Sequence, residues 1–102
     1  MIEPLNDETA GAIRDFLASE DVGEILQMMI FSTCPIAHLF RDSGVGIPRK
    51  TELEQAWTMR WLFDLVLDHG PNWREVASKR LVSVRADLVA AAEAAKGAFS
   101  AS

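Results

Sequence analysis

The segment between Thr51 and His69 places apolar side chains at helical spacing on two different sides. One side collects Ala56, Met59, Phe63, Val66 and Leu67, with Leu62 at its edge. The other side collects Trp57, Trp61 and Leu65, among the acidic residues Glu54, Asp64 and Asp68. Successive residues of an α-helix are turned by about 100°, so each set forms a continuous apolar face. The segment is therefore predicted to be a central helix, covered on two sides by its own chain or by a partner.

Local signals in the first half of the chain predict three shorter helices. Asn6 or Asp7 is suited to cap the first helix, because these side chains accept hydrogen bonds from free backbone N–H groups. A second helix is expected over residues 22–33. Pro35 is expected to end or kink it and to open a short third helix over residues 36–41, because proline lacks the N–H group that a helix interior uses.

The second half is predicted to form two longer helices joined by a tight turn. Thr51 and Glu54 have the spacing of a capping box, in which each side chain bonds the backbone of the other residue. Gly-Pro at positions 70–71 is expected to end the central helix. A fifth helix is expected over residues 72–96, with Gly97 as its stop signal. Its apolar face comprises Trp73, Ala77, Leu81, Val84, Leu88, Ala91, Ala95 and Phe99.

Together these patterns predict an all-α protein, a compact bundle of four to five helices with a long C-terminal helix. We expect one helical domain over residues 1–102, because apolar residues make up 49% and charged residues 25% of the chain, as in ordinary globular proteins. The start of the chain lacks the basic and apolar regions of a secretory leader. The most apolar stretch, residues 25–40, is shorter than the roughly 20 residues of a membrane span. A cytoplasmic location without membrane contact is expected.

The charge of the chain is unfavourable for general nucleic-acid binding. Acidic residues number 15 and basic residues 10, which gives a net charge of −5. The excess lies in residues 1–24, where the only basic residue is Arg14. Nucleic-acid binding depends on lysine and arginine side chains that neutralise phosphates. The charge therefore argues against nucleic acid as a partner.

The chain contains few cysteine and histidine residues that could bind a metal or act in catalysis. Cys34 and His38 are four residues apart, but His69 is the only other histidine and there is no second cysteine. A zinc site needs three or four ligands, and a catalytic Cys–His pair needs an orienting group. We therefore predict no metal, no cofactor and no catalytic residues, and a protein that is not an enzyme.

The two tryptophans of the central helix are the main candidates for a binding surface. Trp57, Trp61 and Leu65 are either core residues or an interface, and tryptophan is common at binding hot spots. The leading hypothesis is a small non-enzymatic interaction protein, of the accessory, adaptor or inhibitor kind. It would bind another protein or itself, with a homodimer as one form.

The stretch over residues 62–77 resembles the first two helices of a Myb/SANT repeat, with a His-Gly-Pro turn at 69–71 and Trp73 near the next helix start. The resemblance extends over about residues 53–95 and implies a helix-turn-helix-like module that contacts DNA. This is the alternative function, and its nucleic-acid contacts would fall on Arg74, Lys79, Arg80 and Arg85. The family has a separate third helix, whereas residues 81–85 continue here without glycine or proline.

Overall fold

The computed structural model describes residues 4–28 and 30–100. Within these ranges the secondary structure is helical, with five α-helices and one 3-10 turn. The helices are α1 (Asp7–Ala18), α2 (Glu20–Leu26), α3 (Ile30–Asp42), α4 (Thr51–His69) and α5 (Trp73–Ser100), and the 3-10 turn is Gly70–Asn72. The prediction of an all-α bundle with a long C-terminal helix is confirmed.

Side-chain caps set the start of the first two helices. The backbone N–H of Thr9 donates to the Asn6 side chain over 2.8 Å, so α1 begins where the sequence predicts. Ser19 separates α1 from α2 and accepts from the N–H of Val22 over 3.3 Å. Both caps satisfy backbone groups that the first helical turn leaves without a partner.

The second and third helices differ from the sequence prediction. The helix expected over residues 22–33 ends at Leu26, and α3 continues through Pro35 to Asp42. Proline removes one backbone hydrogen bond, the one to the carbonyl of Phe31. Phe31 is exposed, on the side of α3 away from the core. Packing against α4 therefore outweighs the helix-breaking tendency of Pro35.

Helix α4 lies at the centre of the bundle and contacts α2, α3 and α5. One buried cluster joins Leu62 to Ile25, Trp73 and Ala77. A second cluster comprises Ala37, Phe40, Ile47 and Val84. Trp61 packs against both clusters, and the predicted central place of this helix is confirmed.

The buried side of α4 is not the one the apolar pattern indicates. Its most buried positions are Glu54, Thr58 and Leu62, whereas Leu67, expected on the core face, is 65% exposed. The Thr58 hydroxyl donates to the carbonyl of Thr33 over 3.1 Å, which satisfies a polar group inside the α3–α4 contact. Packing against α3 therefore buries a face of α4 that contains polar residues.

Helix α5 extends beyond the bundle. Its first half buries Trp73, Ala77 and Val84, whereas Ala91 and Ala95 are exposed, and the side chain of Phe99 lies outside the described residues. The predicted stop at Gly97 is wrong, because the helix continues to Ser100. The described chain measures 66 × 30 × 23 Å, with a radius of gyration of 17.6 Å. A compact domain of this length has a radius of gyration of about 13 Å.

Among the described residues, no single helix has both the length and the apolar character needed to cross a bilayer. Glu20–Leu26 and Phe31–Asp42 meet those criteria only as a pair, and the two helices lie at 87° to each other.

Candidate interaction surface

The predicted interface residues of α4 form an aromatic cluster with α3. The Trp57 and Trp61 rings are stacked, with centroids 6.4 Å apart and an interplanar angle of 14°. Phe40 lies 4.9 Å from the Trp57 ring and 4.8 Å from the Trp61 ring. Both tryptophans are half-buried, so much of their apolar surface is already covered by their own chain.

A shallow opening remains beside the two tryptophans. It is lined by Trp57, Arg60, Trp61 and Asp64. Leu65, the third predicted interface residue, is half-buried and packs against the cluster around Leu62. The three predicted residues therefore lie on one helix, but only the tryptophan rings border an open surface.

A larger apolar surface lies on the side of α5 that faces away from the bundle. We call Val82, Ala86 and Val89 the outer face of α5. Val82 is 69% exposed and Val89 is 56% exposed. An open groove lined by Ser78, Leu81, Val82, Arg85 and Ala86 runs along its N-terminal part. The spacing of the two valines, seven residues or about two turns, is a signal that sequence analysis could have used.

The basic residues of the alternative function are largely engaged within the chain. Arg74 contacts Asp21 at 3.2 Å and Glu24 at 2.7 Å, and it lies over the ring of Trp73. The Glu24 carboxylate, which accepts its hydrogen bond, raises the pKa of Arg74. This pairing joins α5 to α2.

The other three basic candidates point in different directions along α5. Lys79 pairs with Glu75 over 3.1 Å, and the Arg80 guanidinium lies 6.0 Å from the ring centroid of Phe40. Arg85 has no ion pair among the described residues. Because α5 is continuous from Trp73, the separate third helix of a Myb/SANT repeat is not formed.

A buried ionic cluster, which sequence analysis missed, joins α3 to the start of α4. The Glu54 side chain is 8% exposed and lies 2.6 Å from Arg41 and 2.8 Å from His38. Arg41 also donates to the carbonyls of Ile47 and Pro48, over 3.0 and 2.9 Å. The cluster therefore fixes the loop that inserts Ile47 into the core. Arg41 and Glu54 are too far apart in the chain for any local pattern to pair them.

The predicted capping box at the start of α4 is wrong. Lys50 occupies the cap position and makes no side-chain hydrogen bond there. Glu54 turns toward Arg41 instead of returning to the backbone. The hydrogen bond that Arg41 donates to Glu54 is the main reason that the pKa of Glu54 lies below its usual value. A charged partner stabilises the carboxylate more than a backbone N–H would.

Cys34 lies beside this cluster. Its thiol is 3.9 Å from the carbonyl of Thr51. Desolvation raises the pKa of the Cys34 thiol, and the nearby Glu54 carboxylate raises it further. Because the thiolate is the reactive form, these effects make Cys34 a weak nucleophile at neutral pH. The described residues contain no group of three histidine, cysteine or acidic side chains able to hold a metal ion.

Comparison with known proteins gives no relative for this chain. No protein family, no curated protein and no solved structure matches it significantly.

Proposed function

We propose that this chain is a small non-enzymatic protein-interaction module, of the accessory, adaptor or inhibitor kind. It binds another protein, or a second copy of itself, through an apolar helical surface. The observation that carries the proposal is the exposure of Val82 and Val89 on a helix that extends beyond its own bundle. Clustered apolar side chains on a protein surface are typical of interaction sites.

The outer face of α5 is a better binding surface than the tryptophan pair. Phe40 already covers much of Trp57 and Trp61, so a partner would remove little additional apolar surface from water there. Val82 and Val89 have no such cover. Burial of apolar area contributes about 25 cal/mol per Å², so the face with more exposed apolar area offers the larger driving force. Trp57, Trp61 and Leu65 remain the second candidate surface.

One further feature is consistent with this class of function. Desolvation raises the pKa of the Cys34 thiol, which disfavours the thiolate that nucleophilic chemistry would use. The setting that we propose is the cytoplasm, where a single thiol stays reduced. The alternative, a nucleic-acid role, has less support, because Arg74 and Lys79 already contact carboxylates.

Affinity capture from the native host tests the proposal. Tagged wild-type chain is compared with Val82→Asp/Val89→Asp, which places two charges on the outer face of α5. We expect the wild type to retain a defined protein, or untagged copies of itself, and the variant to lose at least nine-tenths of it. Burial of an unpaired carboxylate at an interface is strongly unfavourable.

The matched control is Leu53→Asp/Leu67→Asp, which places the same two charges at exposed positions of α4. It should capture the same partner as the wild type. If the α5 variant and the wild type retain the same partner in equal amounts, the outer face of α5 is not the binding surface. If the wild type retains no defined protein and no untagged copy of itself, the proposed function is wrong.

A further inference from the structure

Helix α4 keeps one face open to solvent along most of its length. This face, which we call the outer face of α4, comprises Leu53, Trp57, Arg60, Asp64 and Leu67. Leu53 is 41% exposed and Leu67 is 65% exposed, and Arg60 and Asp64 are exposed as well. Trp57 is half-buried. Leu62, which packs in the core, lies on the opposite side of the helix.

The residues of the outer face of α4 follow one another at alternating intervals of four and three positions. This is the spacing by which a helix presents one seam to a partner helix over several turns. Apolar residues occupy both ends of the seam, and Arg60 and Asp64 occupy its middle. Neither of the two charged residues has an ion pair among the described residues. The face therefore offers apolar contacts at each end and two opposite charges without partners between them.

We infer that the outer face of α4 binds the same face of a second copy, with the two α4 helices antiparallel and the twofold axis level with Leu62. The inference goes beyond the proposed function, because it concerns a face other than the outer face of α5. In such a pair, a residue before position 62 packs beside the residue equally far after it. Arg60 therefore packs beside Asp64 of the other copy, and the axis generates this ion pair twice. Trp57 packs beside Leu67 of the other copy in the same way.

The charge pattern selects this orientation over a parallel one. Arg60 and Asp64 are turned by only about 40° from each other around the helix, so both face the same partner helix. In a parallel pair in register, each would pack beside its own counterpart. Like charges at facing positions are destabilising, whereas opposite charges are favourable. Polar residues within a seam fix register and orientation in paired helices, and the antiparallel pair is the arrangement that matches all four charges.

Shape and size are consistent with a reversible dimer. The shallow opening beside Trp57 and Trp61 is the place where Leu67 of the other copy would pack. The part of α4 from Leu53 to Leu67 is about 21 Å long. A contact of this length is smaller than a standard interface of about 800 Å² per partner, so we expect a weak dimer.

Charge reversal, followed by sedimentation equilibrium, tests the facing pairs. Arg60→Asp places four acidic residues around the axis and Asp64→Arg places four basic ones, so each variant should dimerise about tenfold more weakly than the wild type. Arg60→Asp/Asp64→Arg should restore the wild-type dissociation constant, because the pairs form again with exchanged signs. Both positions are exposed, and circular dichroism checks that the helices are retained. A wild type that stays monomeric up to millimolar concentration, unchanged constants in the single variants, or no recovery in the double variant would overturn the inference.

Mixing the two single variants tests the same contact without a further substitution. Each variant supplies the charges that the other lacks, so an equimolar mixture of Arg60→Asp and Asp64→Arg should form a heterodimer about as strong as the wild-type dimer. A mixture that associates no better than its two components would contradict the inference.

Substitutions on the two helices separate this contact from the proposed function. Val82→Asp/Val89→Asp should leave the dimer intact, whereas Leu53→Asp/Leu67→Asp should abolish it and still retain a different protein held by α5. A wild type that captures a defined protein but stays monomeric contradicts only the inference. A chain that dimerises through α4 while Val82→Asp/Val89→Asp captures everything that the wild type captures contradicts only the role assigned to the outer face of α5.

Discussion

Replacing Leu62 by alanine is expected to lower the free energy of unfolding by about 3 kcal/mol, the usual cost of truncating a fully buried leucine. Leu62 is 3% exposed and packs against Ile25, Trp73 and Ala77. Because it joins α4 to α2 and α5, the cavity left by truncation would lie between three helices. The measurement is urea unfolding followed by circular dichroism.

The matched control for this change is Leu67→Ala, on the same helix. Leu67 is 65% exposed, so its truncation should cost less than about 0.5 kcal/mol. Equal losses at the two positions would mean that the apolar pattern of the sequence, and not the packing of Leu62 between α2 and α5, identifies the core face of α4.

Replacing Arg41 by methionine is expected to lower the midpoint of thermal unfolding by roughly 10 °C. The substitution removes the guanidinium beside the Glu54 carboxylate in the α3–α4 contact and leaves it only the largely exposed His38. It also removes the donors that hold the carbonyls of Ile47 and Pro48. Removing one member of a buried ion pair costs more than removing both. Arg41→Met/Glu54→Leu should therefore be more stable than Arg41→Met alone.

The matched control is Arg60→Met, because Arg60 is exposed and has no ion pair among the described residues. It should leave the midpoint nearly unchanged. A similar loss for Arg41→Met and Arg60→Met would contradict the structural role assigned to the cluster.

The same cluster predicts how stability depends on pH. Arg41 lowers the pKa of Glu54 in the folded protein, whereas the unfolded chain has the usual value of about 4.3. The stabilisation is therefore complete above the unfolded pKa and is lost as the pH falls through the lower, folded pKa. Between pH 7 and pH 3, wild-type stability should fall more steeply than that of Arg41→Met, in which the largest cause of the lowered pKa of Glu54 is absent.

Helix boundaries that depend on neighbouring residues could be predicted from the sequence. Asn6 caps α1, and the glycine and proline at 70–71 end α4, because both signals act within one turn of the helix. At Gly70 the backbone φ of 57° favours glycine, which has no side chain to clash there. The all-α class and the central place of α4 follow from helical periodicity in the same way.

Features that depend on distant residues could not be predicted. Glu54 has the spacing of a capping box, but a cation 13 positions earlier in the chain offers it a stronger interaction. Pro35 stays within a helix because α3 contacts α4 on both sides of it, at Thr33 and at Phe40. The core face of α4 includes Thr58 because the carbonyl of Thr33 accepts its hydrogen bond. Each of these outcomes is decided by a contact between helices.

The candidate surface, too, could be predicted from the sequence only in part. Sequence analysis identified the aromatic residues of α4, but their exposure depends on where Phe40 packs. On α5 it identified the face that the bundle covers, and it gave no weight to the valines on the other side. Their exposure follows from which side of α5 packs on the bundle, and the structure shows that side.

Amide hydrogen exchange in residues 85–97 tests most directly whether the outer face of α5 is a protein interface. An uncovered helix end opens locally and exchanges fast, whereas a covered one is protected. We predict that protection of these amides rises with protein concentration, or on addition of the captured partner, and that Val82→Asp/Val89→Asp abolishes the rise while α4 is unaffected. Fast exchange at every concentration, with or without that partner, would contradict the account.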